Sequence, residues 1–65
     1  MENNNVIKLM KIIEKDFQDA TFDAIKFVEG NNSAGTRVRK YMQSIKNLAQ
    51  EVRKEIQHQK NSILA

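Results

Sequence analysis

The position of the helix-breaking residues limits the fold of this sequence more than any other feature. The chain has 65 residues and no proline, and its two glycines are Gly30 and Gly35. Regular structure therefore has one natural place to stop, because glycine and asparagine accept the left-handed conformation at a helix end. The segment on either side is long enough for one long helix. The sequence predicts an all-α protein made of two helices joined by a short turn.

Apolar residues on both sides of the turn recur at alternating spacings of three and four, which is typical of a helix and incompatible with a strand. If the helices are antiparallel, the sequence positions of two residues that face each other add to a constant. Seven pairs of small or apolar residues have positions that add to 62. The turn centre implied by that sum is residue 31, inside the predicted break. The pairs are Phe27 with Gly35, Ala24 with Val38, Ala20 with Met42, Phe17 with Ile45, Ile13 with Ala49, Met10 with Val52 and Val6 with Ile56.

These patterns predict one antiparallel two-helix hairpin, similar to a coiled coil, in a single domain spanning residues 1–65. The expected boundaries are a first helix from about 4 to 29, a turn at about 30 to 33 and a second helix from about 33 to 61. Ser33 is the expected N-cap of the second helix, with Asn32 as the alternative, because either side chain can accept a hydrogen bond from a first-turn amide.

A hairpin of this size has a small core. A domain of about 60 residues buries only about 60% of the surface of its unfolded chain, and the absence of cysteine excludes a disulfide and a Cys-based metal site. Several apolar residues also fall outside the predicted helix–helix interface. We therefore expect a homodimer or higher oligomer, most simply a four-helix bundle built from two hairpins. The expected oligomer interface consists of Leu9, Phe22, Ile25, Tyr41 and Leu48.

The sequence gives no indication of a membrane or secreted protein. No apolar run approaches the roughly 18 to 20 residues of a membrane span, and no apolar signal-peptide core is present. The expected location is the cytoplasm. A helix lying on a membrane surface is disfavoured, because the hairpin interface uses the apolar face that a lipid surface would need.

Residues that could support catalysis are isolated from one another. His58 is the only histidine, so no second His or Cys is available to complete a metal site with it. Asp16, Asp19 and Asp23 lie one turn apart on the first helix, and without a pocket around them they are interpreted as charges that offset basic residues. We expect a protein that is not an enzyme, with no cofactor, no metal and no small-molecule substrate.

The charges are divided unequally along the chain. Residues 1–29 carry a net charge of −2 and residues 30–65 a net charge of +5. In the second helix the basic residues recur at regular spacings. Few acidic residues lie four positions away from them, where the ion-pair partners of an inert helix surface are usually found. Cations also crowd the first turns of that helix, where its dipole disfavours them. Arg39, Lys46, Arg53 and Lys60 recur every seven residues, and Lys40 and Lys54 form a parallel row.

Phosphate is the anion that this pattern fits best, since the intervening residues are hydrogen-bonding types commonly used on DNA phosphates. No aromatic residues alternate with the cations, as they do in single-strand binders, and no helix-turn-helix is present to read a sequence. The residues predicted to contact double-stranded DNA without sequence preference are Thr36, Arg37, Arg39, Lys40, Lys46, Arg53, Lys54 and Lys60. The alternative is a protein-interaction or scaffold module whose basic helix binds the acidic helix of another copy.

The segment from residue 29 to 55 resembles a known family, the bacterial linker-histone-like nucleoid proteins of the chlamydial and Bacteroidetes type, which are histone-one-like. Asn32 and Ser33 stand where that family usually has Lys and Ala. The resemblance implies a helical hairpin that forms dimers, binds chromosomal DNA with little sequence preference and compacts it in the nucleoid. Matching residues, in order and spacing, are Gly30-Asn31, Ala34-Gly35-Thr36-Arg37, Arg39-Lys40, Ser44-Ile45 and Arg53-Lys54.

Overall fold

The protein is described by a computed structural model that covers residues 3–64, with the side chains of residues 3–62. Two helices account for most of this range: α1 is Asn5–Val28 and α2 is Asn32–Leu64. They pack against each other in an elongated hairpin of 53 × 19 × 11 Å. The predicted all-α fold with two helices is therefore confirmed, and α2 extends three residues beyond the expected end near residue 61.

Capping residues fix both ends of α1. At its start the side-chain oxygen of Asn4 accepts a hydrogen bond of 2.8 Å from the amide of Val6. At its end Gly30 has a φ of +108°, the left-handed conformation that was predicted for it. The amide of Gly30 donates to the carbonyl of Phe27, and the amide of Asn31 donates to the carbonyl of Lys26, both at 3.0 Å. These two bonds form a Schellman motif and satisfy carbonyls at the end of the helix.

Asn31 also caps α2, so the prediction of Ser33 with Asn32 as the alternative was wrong. The amide of Ala34 donates to the side-chain oxygen of Asn31 at 3.1 Å, and Asn32 and Ser33 already belong to the helix. The physical reason is the abrupt reversal at Gly30. Since one left-handed residue turns the chain, the residue that completes the end of α1 is also in position to cap α2.

Contacts between the helices follow the predicted register closely. Gly35 packs on the ring of Phe27, and a Cβ atom added to this glycine would lie 2.6 Å from Cδ1 of that ring. The numbers of this pair add to the predicted 62, while the hydrogen-bonded pairs between the helices have sums of 60 and 63. Those pairs are Asp23 with Arg37, Asp16 with Ser44, Asn5 with Glu55 and Asn4 with Gln59.

Eight of the fourteen residues predicted to face each other are buried or half-buried, while the helices are rotated slightly about their axes relative to the predicted interface. Leu9, Tyr41 and Leu48, which were assigned to an oligomer interface, are each half-buried. Several residues assigned to the helix–helix interface are exposed instead, because Asp16 and Asp23 make hydrogen bonds to α2 and bring their side of α1 inward. These exposed residues are Met10, Phe17, Met42, Ala49 and Ile56, whereas Phe27 is 50% exposed but keeps its predicted contact with Gly35.

Very little of the described chain is fully buried. Among the residues with described side chains, only Ala20, Ala34 and Asp23 retain less than 9% of their accessible surface. The two alanines lie where the helices approach each other, and their small side chains permit that approach. The hairpin therefore has a thin core, with most large apolar side chains at its margins.

Candidate nucleic-acid interface

The hairpin has two unlike sides. On the polar side, hydrogen bonds connect α1 to α2 through Asp23 with Arg37, Asp16 with Ser44, and Asn5 with Glu55. The opposite side carries large apolar side chains that remain 39% to 61% exposed. We call it the apolar side, and define it by Met10, Phe17, Phe27, Met42 and Ile56.

A row of cations lies along α2 at the edge of the apolar side. It consists of Arg39, Lys46, Arg53 and Lys60, all of them exposed. Seven residues of helix rise about 10.5 Å, so the row extends for about 31 Å, which is close to one turn of B-DNA at about 34 Å. Within the part of the chain that the structure describes, none of the four cations forms an ion pair. The row is therefore open to an external anion.

Three further predicted DNA contacts lie on the outer ridge of α2. Thr36, Lys40 and Lys54 are exposed there, and Lys40 and Lys54 also line clefts shared with Asp16 and Lys8 of α1, respectively. Nζ of Lys54 lies 3.6 Å from Oε1 of Glu51, and the two side chains are 67% and 58% exposed. Ion pairs as exposed as this one contribute about 0 to 1 kcal/mol. Lys54 can therefore exchange this carboxylate for a phosphate at little cost.

Arg37 is separated from the cationic row, although the sequence placed it in the same site. Its Nε donates to Oδ1 of Asp23 at 3.0 Å, and one terminal nitrogen of its guanidinium lies 3.0 Å from the same oxygen. The side chain of Asp23 is only 12% exposed. Arg37 therefore ties α2 to α1 on the polar side, and its guanidinium is directed toward the hairpin.

The acidic residues of α1 are mostly used inside the molecule. Asp23 pairs with Arg37, and Asp16 accepts a hydrogen bond of 2.8 Å from the hydroxyl of Ser44. Asp19 lies 3.9 Å from Nζ of Lys15 on its own helix. The interpretation of these acids as an offset for basic residues is confirmed for Asp23 and Asp19.

The net charge of −2 on residues 1–29 conceals a second set of exposed cations. Lys8, Lys15 and Lys26 are exposed on α1, and Lys8 lies at a cleft that it shares with Glu51 and Lys54 of α2. Because Asp16 and Asp23 turn inward, the exposed surface of α1 is less acidic than the net charge of −2 suggested. Asp16 and Asp23 lie one helical turn before and after the buried Ala20, and this spacing could have shown that both acids face α2.

The described residues contain neither a metal-binding cluster nor a membrane-spanning helix. His58 is exposed, and residues 3–62 contain no group of three or more His, Asp or Glu side chains that could hold a metal ion. Neither α1 nor α2, as far as they are described, is long and apolar enough to cross a membrane.

The fold and the charge distribution define a small helical hairpin with an open cationic row, an arrangement suited to a histone-like protein. Comparison with known families matches the histone H1-like protein Hc1 over residues 4–62. The chain belongs to this family. The match covers nearly the whole chain and confirms the resemblance seen between residues 29 and 55. Searches among curated proteins and among solved structures each returned no match.

Proposed function

We propose that this protein binds duplex DNA through its phosphates, without marked sequence preference, and contributes to organising or compacting the chromosome within the nucleoid. The observation that carries the proposal is the row of Arg39, Lys46, Arg53 and Lys60, which lies exposed along one helix without ion pairs among the described residues. Membership of the histone H1-like family supports a DNA-binding, structural role over an enzymatic one.

The geometry favours contact with phosphates over reading of bases. Long lysine and arginine side chains on a straight helix can follow a phosphate backbone for about one turn of the duplex. A base-reading protein places a recognition helix in the major groove and supports it with a second helix across the backbone. In this hairpin α2 is instead packed along α1. Lys40, Lys54 and Thr36 extend the phosphate-binding surface around the ridge of α2, whereas Arg37 makes a smaller contribution because Asp23 holds it.

The alternative, a scaffold that self-associates through a basic and an acidic helix, is less well supported. It requires an exposed acidic surface on α1. Of the four acids within α1, Asp23 is buried against Arg37, Asp16 is half-buried beside Ser44 and Asp19 is half-buried beside Lys15, so only Glu14 is fully exposed. Lys8, Lys15 and Lys26 are exposed on that helix. Basic surfaces on both helices favour an anionic polymer as the ligand.

Charge reversal on the two helices tests the proposal with a matched control. The variant Arg39→Glu, Lys46→Glu, Arg53→Glu removes the cationic row, and Lys8→Glu, Lys15→Glu, Lys26→Glu makes the same change in net charge on α1. Gel shifts with random duplex DNA at low salt should show binding lost in the α2 variant. The α1 variant should retain a shift that is weaker than that of the natural protein, because its overall attraction for DNA is reduced.

Circular dichroism of both variants distinguishes lost binding from lost folding. If both remain helical and bind DNA equally, the cationic row is not the site. If the natural chain shows no shift with duplex DNA but associates with itself in a salt-sensitive manner, the scaffold alternative replaces the proposal.

A further inference from the structure

We propose that a pocket at the turn end of the hairpin takes one unpaired nucleotide of a DNA strand, so that DNA with a single-stranded overhang or gap binds more tightly than continuous duplex. This preference rests on the proposed binding of DNA along the cationic row, and it concerns the structure of the DNA and not its sequence. Both helices contribute to the pocket. Its lining residues are Ala24, Phe27, Asn32, Gly35, Thr36, Val38 and Arg39.

The pocket combines an apolar lining with a few polar groups, as small-molecule sites usually do. Ala24 and Val38 line it and are half-buried, whereas Thr36 and Arg39 are exposed. Its volume is about 440 Å³, which lies within the range of roughly 300 to 1,000 Å³ that is typical of ligand pockets. The turn end therefore has room for a group as large as one nucleotide.

Phe27 provides the aromatic surface of the pocket. A Cβ atom on Gly35 would lie 2.6 Å from Cδ1 and 2.8 Å from Cε1 of this ring, so one edge of the ring packs closely on the glycine. Phe27 nevertheless remains 50% exposed. A fixed ring with accessible surface suits the stacking of a base, and such stacking tolerates any sequence because every base has a π-face.

Charge favours a phosphate-bearing ligand at this pocket. Arg39 is the one charged residue among those that line it, and it is also the first member of the cationic row. A strand whose phosphates follow the row therefore reaches the pocket at the turn end. Three other clefts of the hairpin each include acidic residues, which repel phosphate. These acids are Glu51 and Glu55 at the open end, Asp16 beside Lys40, and Glu14 beside Phe17.

The base that enters the pocket has to be unpaired. In a continuous duplex each base is paired and stacked on its neighbours, so reaching Phe27 would require the base to leave the helix, at a cost in free energy. A nucleotide in an overhang or a gap is already free of its pairing partner and avoids most of this cost. The side chains of Asn32 and Thr36 supply hydrogen-bonding groups for the sugar or the base edge.

An overhang with and without bases tests the pocket on the full chain. Fluorescence anisotropy compares a duplex that carries a short single-stranded overhang with the same duplex whose overhang consists of abasic nucleotides, so that the phosphates are equal in number. The natural protein should bind the overhang with bases at least about fivefold more tightly. Equal affinities for the two duplexes would overturn the proposal.

Two phenylalanines of the apolar side provide matched variants for this comparison. Phe17 is 61% exposed and Phe27 50% exposed, but Phe17 lies in a cleft with Glu14 and outside the pocket. Phe27→Leu keeps an apolar side chain and removes the aromatic ring, so the preference for bases should fall below about twofold. Phe17→Leu should retain the preference. The reverse ranking of the two variants would also overturn the proposal.

A fluorescent residue in the pocket gives a direct measurement even if Phe27→Leu fails to fold. The chain contains no tryptophan, so Phe27→Trp and Phe17→Trp each introduce a single one. The overhang with bases should quench the fluorescence of Phe27→Trp more than the abasic overhang does, and neither should quench Phe17→Trp. If free deoxyadenosine monophosphate quenches Phe27→Trp as strongly at the same concentration, the pocket serves a soluble nucleotide and the proposal is wrong.

These outcomes are distinguishable from failure of the proposed function. If blunt, abasic and base-containing duplexes all bind equally well, the pocket has no role and the cationic row alone accounts for DNA binding. If no DNA binds, both proposals are refuted.

Discussion

The polar and apolar sides of this hairpin are formed by the same two helices, but they differ in how far their side chains find partners within one chain. On the polar side Asp23 meets Arg37 and Asp16 meets Ser44 within one chain. On the apolar side Phe17 and Met42 remain largely in contact with solvent. The polar side is therefore held by hydrogen bonds between the helices, whereas the apolar side stays exposed in the single chain.

The concentration dependence of thermal stability tests the homodimer expected from the sequence, because a protein that folds only as a dimer becomes more stable as its concentration rises. For a chain of this length, the melting temperature should rise by about 5 °C for each tenfold increase in concentration. Phe17→Glu should remove this dependence if the apolar side is the interface, and Phe22→Glu should remove it if the interface is the one expected from the sequence. Calorimetry over two decades of concentration measures the effect. A melting temperature that is constant for the natural chain would contradict the homodimer.

Breaking the polar side should destabilise the single chain. Asp23→Ala leaves Arg37 without its carboxylate, at a cost of about 1 to 2 kcal/mol in the free energy of unfolding, since the guanidinium is partly solvated. Asp19→Ala is the control, because its contact with Lys15 is exposed and should contribute less than about 0.5 kcal/mol. Urea denaturation at one protein concentration compares them. Equal losses in the free energy of unfolding for the two variants would show that the Asp23–Arg37 pair contributes no more than the exposed Asp19–Lys15 pair.

At the turn end of the hairpin, the effect of Gly35→Ala on stability should change sign when Phe27 is also replaced. Gly35→Ala improves helix propensity by about 1 kcal/mol, but its Cβ would displace the ring of Phe27. In the natural chain we expect a net destabilisation of about 0.5 to 1 kcal/mol from lost packing. In a Phe27→Ala background the same substitution should be stabilising. A double-mutant cycle by urea denaturation measures this coupling, and additive effects would refute the close packing.

A comparably small effect is expected at Ser44, whose hydroxyl donates to Asp16. Ser44→Ala should cost about 0.5 to 1 kcal/mol, the net contribution of a partly buried hydrogen bond to an ionised acceptor that water can partly replace. Thr36→Ala, on the outer ridge of α2, is the control and should be close to neutral. Both can be measured by chemical denaturation. A larger loss of stability in Thr36→Ala than in Ser44→Ala would contradict the hydrogen bond between Ser44 and Asp16 as a stabilising contact of the polar side.

The sequence predicted the elements and their register because these depend on local signals. Gly30 stops α1 with a left-handed backbone, and the constant sum of 62 follows from a turn near Asn31. The cap of α2 was missed because Asn31 serves both helices. Its double role depends on how tightly the chain reverses, which the residue types do not specify.

The rotation of the helices was not predictable from the apolar pattern alone. Leu9, Tyr41 and Leu48 form one acceptable apolar stripe, and Phe17 and Met42 belong to another, so both interfaces satisfy helical periodicity. Hydrogen bonds from α2 to the acids of α1 decide between them, and these bonds are tertiary contacts. For the same reason the sequence placed Arg37 with the other cations, although Asp23 holds it on the polar side. The cationic row itself was predictable, since its members share one helix and recur every seven residues.

The salt dependence of DNA affinity shows whether the protein binds DNA through the phosphate backbone. Fluorescence anisotropy of the natural protein with two unrelated duplexes of equal length should give dissociation constants within about threefold of each other. If about five phosphates are neutralised, log affinity against log salt should have a slope of about −4 to −5 for both duplexes. A slope near zero, or a preference of more than about a hundredfold for one duplex, would contradict binding through the phosphate backbone.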